Sequence, residues 1–259
     1  DLYIRGNVKM KKQIKNTLNQ TVFGKNIVYM RVCDSTNELA KREITMPHGT
    51  VFIANKQTKG KGRLGRSWES EKNSGIYMSM LIKEPLPLTD VSQLTLVAGV
   101  AVCRALGYDT KIKWPNDIVI GTRKVCGILT EKTGDAIICG IGINVNTKSF
   151  PHHLSEIATS LYIESGEKFD RDYICALVLN EFELLYNQFK EGGFAEIYGQ
   201  YFDLCITLGH DVVATQNGEE ICGFACGISP EGGLIIDTEE GEVTVSSGEV
   251  SVRGMYGYV

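Results

Sequence analysis

The chain changes character near residue 205, and that change constrains its fold more than any other feature. Residues 206–259 hold nine acidic side chains and one basic one, Arg253. Five short strand-like runs dominate this tail: 212–215, 221–226, 234–238, 242–246 and 249–252. Gly, Pro, Asn and Glu-Gly turns separate them, the spacing of a small all-β unit. The tail is therefore expected to form its own β-barrel, with the division falling at 205–209. Removing it from the chain's 27 basic and 31 acidic residues leaves 26 and 22 in residues 1–205. The overall balance of −4 thus hides two segments of opposite sign, and as an average it argues against a general polyanion binder.

The larger segment interleaves strands and helices. Runs 27–32, 51–56, 76–82, 111–114, 118–120, 124–131 and 136–145 read as strands, the third of them alternating. Residues 91–106 are apolar almost all round and predict a buried helix. Residues 173–190 predict an amphipathic helix with Ile174, Val178, Phe182, Leu185 and Phe189 on one face, and 194–202 a shorter one. Residues 10–18 are basic and helix-compatible. No regular βαβ unit recurs, so α+β is preferred to a doubly wound sheet. At 259 residues the chain can bury a substantial core without staples. No apolar run approaches the ~18 residues of a membrane span, and no secretory pattern opens the chain. The first residue is Asp1, which leaves an upstream domain open. The eight cysteines are scattered without a CxxC pair and read as free, mostly buried thiols of a cytoplasmic protein.

Four stretches carry candidate chemistry. Lys56–Arg66, KQTKGKGRLGR, packs five cations and three glycines without an acid. Its backbone N–H groups and cations suit an anion, although a solvated basic loop is the plainer alternative. Trp68 follows, either a flat surface for a base or a core residue. In Lys111–Glu131, a Trp114-Pro115-Asn116-Asp117 turn and a Gly121 hairpin place Asp117 and Lys124 on neighbouring strands. They can be an ordinary ion pair, or a desolvated cation that meets a transition-state anion. Gly140 and Gly142 leave one strand face bare, and Asn144 continues that face as an amide able to read adenine. Close packing explains the glycines equally well. Asp34-Ser35-Thr36-Asn37 reads as a helix cap, with Ser35 and Glu38 at capping-box spacing.

Taken in order, these stretches resemble the biotin-protein ligase family. The resemblance rests on Asp34–Asn37, Gly60–Arg66 (GKGRLGR), Lys113–Asp117 (KWPND), Arg123–Leu129 (RKVCGIL) and Gly140–Asn144 (GIGIN). Ala158–Leu161 (ATSL) and Ser247–Arg253 (SGEVSVR) add to it. It implies a catalytic domain like that of class II aminoacyl-tRNA synthetases over 24–205 and an SH3-like domain over 206–259. Residues 1–23 form an extension too short for a helix-turn-helix domain, so a monofunctional ligase is expected, and a homodimer is left open. The implied reaction joins biotin and ATP, with Mg²⁺, into biotinyl-5′-AMP. The acyl group then passes to a lysine of a biotin carboxyl carrier domain.

By the same resemblance, Ser35, Thr36, Asn37, Gln57, Gly60, Lys61, Gly62, Arg63 and Gly127 serve biotin. Arg63, Arg66, Trp68, Lys124, Gly140, Gly142, Asn144 and Arg253 serve ATP and the adenylate. Lys124, Arg63 and Asp117 are the catalytic candidates, with Asp117 also the Mg²⁺ candidate. Lys61 stands where the family usually has arginine, which keeps the charge but loses the planar fork. Lipoate-protein ligase activity is the alternative within the superfamily, and a non-catalytic nucleic-acid binder is the alternative outside it.

Overall fold

The computed structural model describes residues 14–19, 22–84, 89–107, 109–216, 218–247 and 250–254. Residues 14–17 are helical, and the remainder of the helix expected over 10–18 includes positions outside the described residues. Seven strands form one mixed sheet: β1 (Ile27–Met30), β2 (Val51–Ala54), β3 (Ile76–Ile82), β4 (Thr110–Lys113), β5 (Asp117–Ile120), β6 (Arg123–Thr133) and β7 (Ala136–Ile143). Their order is β1-β2-β3-β7-β6-β5-β4. The β1–β2 pair is parallel and the other pairings are antiparallel. Helices α1 (Thr36–Arg42), α2 (Thr89–Leu106), α3 (His152–Ser155), α4 (Leu161–Ser165), α5 (Arg171–Gly192) and α6 (Ala195–Leu204) complete this part.

The two sheet faces are unequal. On one, α2 and α5 bury Val97, Ala101, Val178 and Phe182 against Met78, Met80 and Ile141. The predicted stripe Ile174, Val178, Phe182, Leu185 and Phe189 is buried throughout α5, each side chain worth about 1.5–3 kcal/mol relative to exposure. On the other face, short α1 sets Leu39 and Ala40 on Phe52, Leu81 and Ile138. Being covered on both faces, β3 is buried at every position and does not alternate with exposure as expected. The small second core leaves the sheet beyond the N-terminus of α1 open for a site.

The tail forms a second, antiparallel sheet of β8 (Asp211–Gln216), β9 (Glu219–Ile228), β10 (Leu234–Thr238), β11 (Gly241–Val245) and β12 (Val250–Gly254), in the order β11-β10-β9-β8-β12. Five of the cysteines are buried as expected, but Cys222 and Cys226 are exposed on β9. They share the outward parity of that strand with Phe224, which faces away from the core. The two sheets are joined at a defined seam. The fully buried Trp114 donates its backbone N–H to Thr207 at 2.9 Å and its indole N–H to the Gly232 carbonyl at 3.1 Å. Gln93 on α2 donates to the Pro230 carbonyl at 2.7 Å.

Candidate active site

The open part of the sheet is bare because of its sequence. Gly140 and Gly142 of β7 lie opposite Leu129 and Gly127 of β6. Cβ atoms added there would collide with what lies above. At Gly140 one would sit 2.1 Å from Asn37 Oδ1, and at Gly142 2.6 Å from the Trp68 indole. At Gly127 one would meet Trp68 at 2.9 Å and Lys124 at 3.1 Å. The bare face thus seats one amide and one indole. The indole N–H of Trp68 is buried and has no hydrogen-bond partner among the described residues.

Above this face lies a narrow cleft of about 460 Å³. Ser35, Thr36, Asn37, Gln57, Gly127 and Gly140 line it, and Lys61, Gly62, Arg63 and Lys124 close it on the cationic side. Ser35 has the extended backbone of a helix N-cap, but its side chain makes no cap hydrogen bond. The expected capping box is not formed. Asp34 takes the Ser35 N–H at 2.8 Å, and Glu38 turns outward to Lys41 and Lys61 at 2.9 and 2.7 Å. Those lysines, Lys61 first, hold the Glu38 carboxyl below its usual range. The Gln57 carboxamide oxygen accepts the Thr36 N–H at 2.7 Å, and its NH₂ donates to Ser70 at 2.9 Å.

A larger, open cleft of about 1880 Å³ continues from this one. Arg66, Trp68, Asp117, Lys124 and Asn144 lie along it, with Val252 of β12 and His153 of α3. Lys124 Nζ is 2.6 Å from Asp117 Oδ1 and 5.4 Å from the centre of a Trp68 ring. Lys124 pairs with Val119 of β5, and Asp117 lies two residues along β5 on the same face, which brings the pair together. The backbone of Lys124 is held as well: its N–H donates to Ile157 at 2.9 Å, and its carbonyl accepts from Thr159 at 2.8 Å.

The glycine-rich loop is a folded turn, not an open strap. Gly62 N–H donates to Arg66 at 2.7 Å, and Trp68 N–H donates to Gly60 at 2.9 Å. A side chain at Gly60 would strike the Trp68 carbonyl, 2.3 Å from its Cβ. The tight turn forces Leu64 to φ 54°, a left-handed conformation unusual for leucine. Arg63 points inward. It donates to Asn116 Oδ1 at 2.9 Å and to the carbonyl of Ser247, just beyond β11. Burial lowers the Arg63 pKa, and nearby Asp117 opposes that shift.

Most sequence-selected residues therefore converge on two joined clefts. Gly60, within the loop, lines neither cleft, and its carbonyl accepts the Trp68 N–H. The backbone of Arg253 pairs with Val213, and its neighbour Val252 lines the cleft. Sequence reasoning assigned no role to Asn116, Ser79, Glu131 or the 157–159 segment. Asn116 stood inside a quoted motif, and its contact with Arg63 spans 53 residues. Among the described residues no three His, Cys, Asp or Glu groups gather to hold a metal ion. No described helix is long and apolar enough to cross a membrane.

A sheet that holds a hydrogen-bonding cleft and a cationic cleft end to end suits a protein that binds a polar group beside an anion. Comparison with known proteins makes the class specific. Residues 29–147 match the Biotin/lipoate A/B protein ligase family, and residues 207–253 match the Biotin protein ligase C terminal domain. The chain is 37% identical to the Bifunctional ligase/repressor BirA of Bacillus subtilis, covering 93% of this chain and 78% of that protein. It is 31% identical to the Biotin--[acetyl-CoA-carboxylase] ligase of Mycobacterium tuberculosis, covering 78% of each. Among solved structures, the biotin protein ligase from Aquifex aeolicus in complex with biotin and ATP superposes with a TM-score of 0.81 at 38% identity, covering 89% of this chain and 99% of that one. The chain belongs to the biotin protein ligase family.

Proposed function

We propose that this protein activates biotin with ATP and transfers it to a lysine of a biotin carrier domain, such as that of acetyl-CoA carboxylase, in the cytoplasm. The functional division is 24–205 for catalysis and 206–259 for the C-terminal domain. One observation carries the reading: an uncharged, hydrogen-bonding cleft opens directly onto Lys124 and Arg63. The ureido ring of biotin sits against Ser35, Thr36 and Gln57, and its tail points its carboxylate at the cations. Asn144 and Trp68 take the adenine, and Arg66 takes phosphate.

The first step joins two anions, and their repulsion is a large part of the barrier. Lys124 and Arg63 offset it in a partly desolvated site, where fixed charges act more strongly than in water. A biotin carboxylate oxygen attacks the α-phosphorus, the bond to pyrophosphate breaks, and Lys124 stabilises the charge on the equatorial oxygens. In the second step the acceptor amine attacks the acyl carbon, the C–O bond breaks and AMP leaves. Asp117 takes the proton from the attacking amine. It is also the carboxylate that would hold a Mg²⁺ ion, since such ions take one or two protein carboxylates, and the ion would supply charge neutralisation. Because Asp117 holds Lys124 at 2.6 Å, both roles depend on the same pair.

The deciding experiment is transfer of labelled biotin, with ATP, to an apo carrier domain. Covalent label on the carrier is expected. Transfer of lipoate but not biotin replaces this reading with the sister activity. Salt-dependent nucleic-acid binding without biotin-dependent pyrophosphate release replaces it with a non-catalytic one.

A further inference from the structure

Behind the cleft lies a chain of hydrogen bonds whose direction is forced. Asn37 gives both hydrogens of its NH₂ to groups that only accept: the Leu129 carbonyl at 3.1 Å and the Glu131 carboxylate at 2.8 Å. Its oxygen therefore faces Ser79, a fully buried hydroxyl on β3, 2.6 Å away. An amide oxygen only accepts, so the single proton of Ser79 goes to Asn37. Thr36 Oγ1 lies 2.7 Å from Ser79 Oγ. With the Ser79 proton already committed, this short contact is a hydrogen bond only if Thr36 donates. The Thr36 hydroxyl then has no proton left for the cleft and offers lone pairs alone. Gln57 Oε1, at 3.2 Å, is the only other acceptor for that proton among the described residues, and donation there leaves the same outcome.

We propose that Ser79 is a specificity-determining positioning residue. By holding the proton of Thr36 away from the cleft, it makes that point an acceptor and so selects a ligand that presents an N–H there. This inference rests on the reading that a cyclic urea occupies the Ser35–Thr36–Gln57 end. The polarity originates at Glu131 and the Leu129 carbonyl and reaches the ligand through three side chains. Ser79 itself does not line the cleft.

The test compares biotin with its cyclic carbamate analogue, in which a ring oxygen replaces the urea N–H facing Thr36. Titration calorimetry gives both affinities, and pyrophosphate release gives kcat and KM. In the native protein the carbamate sets two lone pairs against each other and is expected to bind about tenfold or more worse than biotin, the usual consequence of an unpaired buried polar contact. Ser79→Ala removes the nearer acceptor, 2.7 Å away, and leaves only Gln57 Oε1 at 3.2 Å to hold the Thr36 proton. A urea oxygen or ring oxygen in the cleft then competes for that proton, so the biotin-to-carbamate ratio should fall at least fivefold while kcat for biotin changes less than twofold. In a Thr36→Val background, Ser79→Ala should leave the ratio unchanged, because its effect passes through Thr36. Should Ser79→Ala not fold, Ser79→Cys keeps the bulk with only a weak donor and should lower the ratio at least threefold.

A native-like ratio in either Ser79 variant overturns the proposal, as does an equal fall with and without the Thr36 hydroxyl. If the native protein binds biotin but not more tightly than the carbamate, the polarity argument fails while the ligase reading stands. If it binds neither, the ligase reading itself fails, and the proposal with it.

Discussion

The two halves of the cleft are built on opposite principles. The end near Ser35, Thr36 and Gln57 is neutral, buried and prearranged by hydrogen bonds whose donors and acceptors have assigned directions. The end near Arg63 and Lys124 is charged, wider and assembled from distant parts: the glycine loop, the β5–β6 pair and Ser247 of the C-terminal domain. A neutral heterocycle is recognised by directional contacts and needs a rigid partner. A triphosphate is recognised by charge, which tolerates looser geometry but needs cations drawn together against their own repulsion.

Breaking the charged half should have the largest effect. Lys124→Ala is expected to slow adenylate formation by about 10²–10³-fold, the usual loss on removing one transition-state charge. Biotin affinity should stay within a few fold, as calorimetry beside pyrophosphate release will show. Loss of both together would mean that the halves are not separable.

Two alanines separate them further. Gly142→Ala strikes the Trp68 seat and should weaken ATP, whereas Gly140→Ala strikes Asn37 and should weaken biotin. Overpacking of this kind costs about 1–3 kcal/mol, or roughly 5- to 150-fold in affinity. Binding titrations with each substrate check the assignment, and a loss on the opposite substrate reverses it.

Arg63→Gly removes charge-assisted contacts worth roughly tenfold or more. It should release biotinyl-5′-AMP into solution while its synthesis continues, measurable as free adenylate per turnover. Retention as in the native protein would confine Arg63 to joining the loop to the C-terminal sheet.

The smallest effect concerns the helix that presents the neutral half. The Arg42 guanidinium, hydrogen-bonded to Asp34, lowers the Asp34 pKa to about 2. A depressed carboxyl contributes stability above its unfolded pKa and loses it as pH falls through the folded value. The window is therefore about pH 4 down to 2. The pair is substantially exposed, so the contribution is at most about 1 kcal/mol. Asp34→Asn should flatten that part of the stability-against-pH curve in thermal melts.

Much of this site was legible in the chain. The cationic glycines, the Asp117–Lys124 hairpin and the bare face at Gly140 and Gly142 are local patterns, readable because their partners lie within a few residues or on one strand. The five strands of the tail were legible for the same reason. Ser79 and Glu131 were not. Ser79 is one polar residue in a seven-residue strand that is otherwise apolar, and its bond to Asn37 spans 42 residues. Glu131 reaches Asn37 across 94 residues. The capping box failed for a related reason: Asp34 supplied the helix cap contact that the Ser35–Glu38 spacing suggested, and two lysines claimed Glu38.

The sequence by itself determined the two-part organisation, the strand order and the longer helices, and the chemistry available: cations on glycines, an amide and hydroxyls before a helix, a lysine opposite an aspartate. These follow from local periodicity, turn residues and charge. Only the tertiary structure decided which groups meet. It set Trp68 on Gly142, tied Arg63 to Ser247, and ran a chain of hydrogen bonds in which Ser79 donates to Asn37 and Asn37 to Glu131. Hydrogen-bond direction depends on the partners of both atoms, and here those partners come from strands that pair far from each other in the chain.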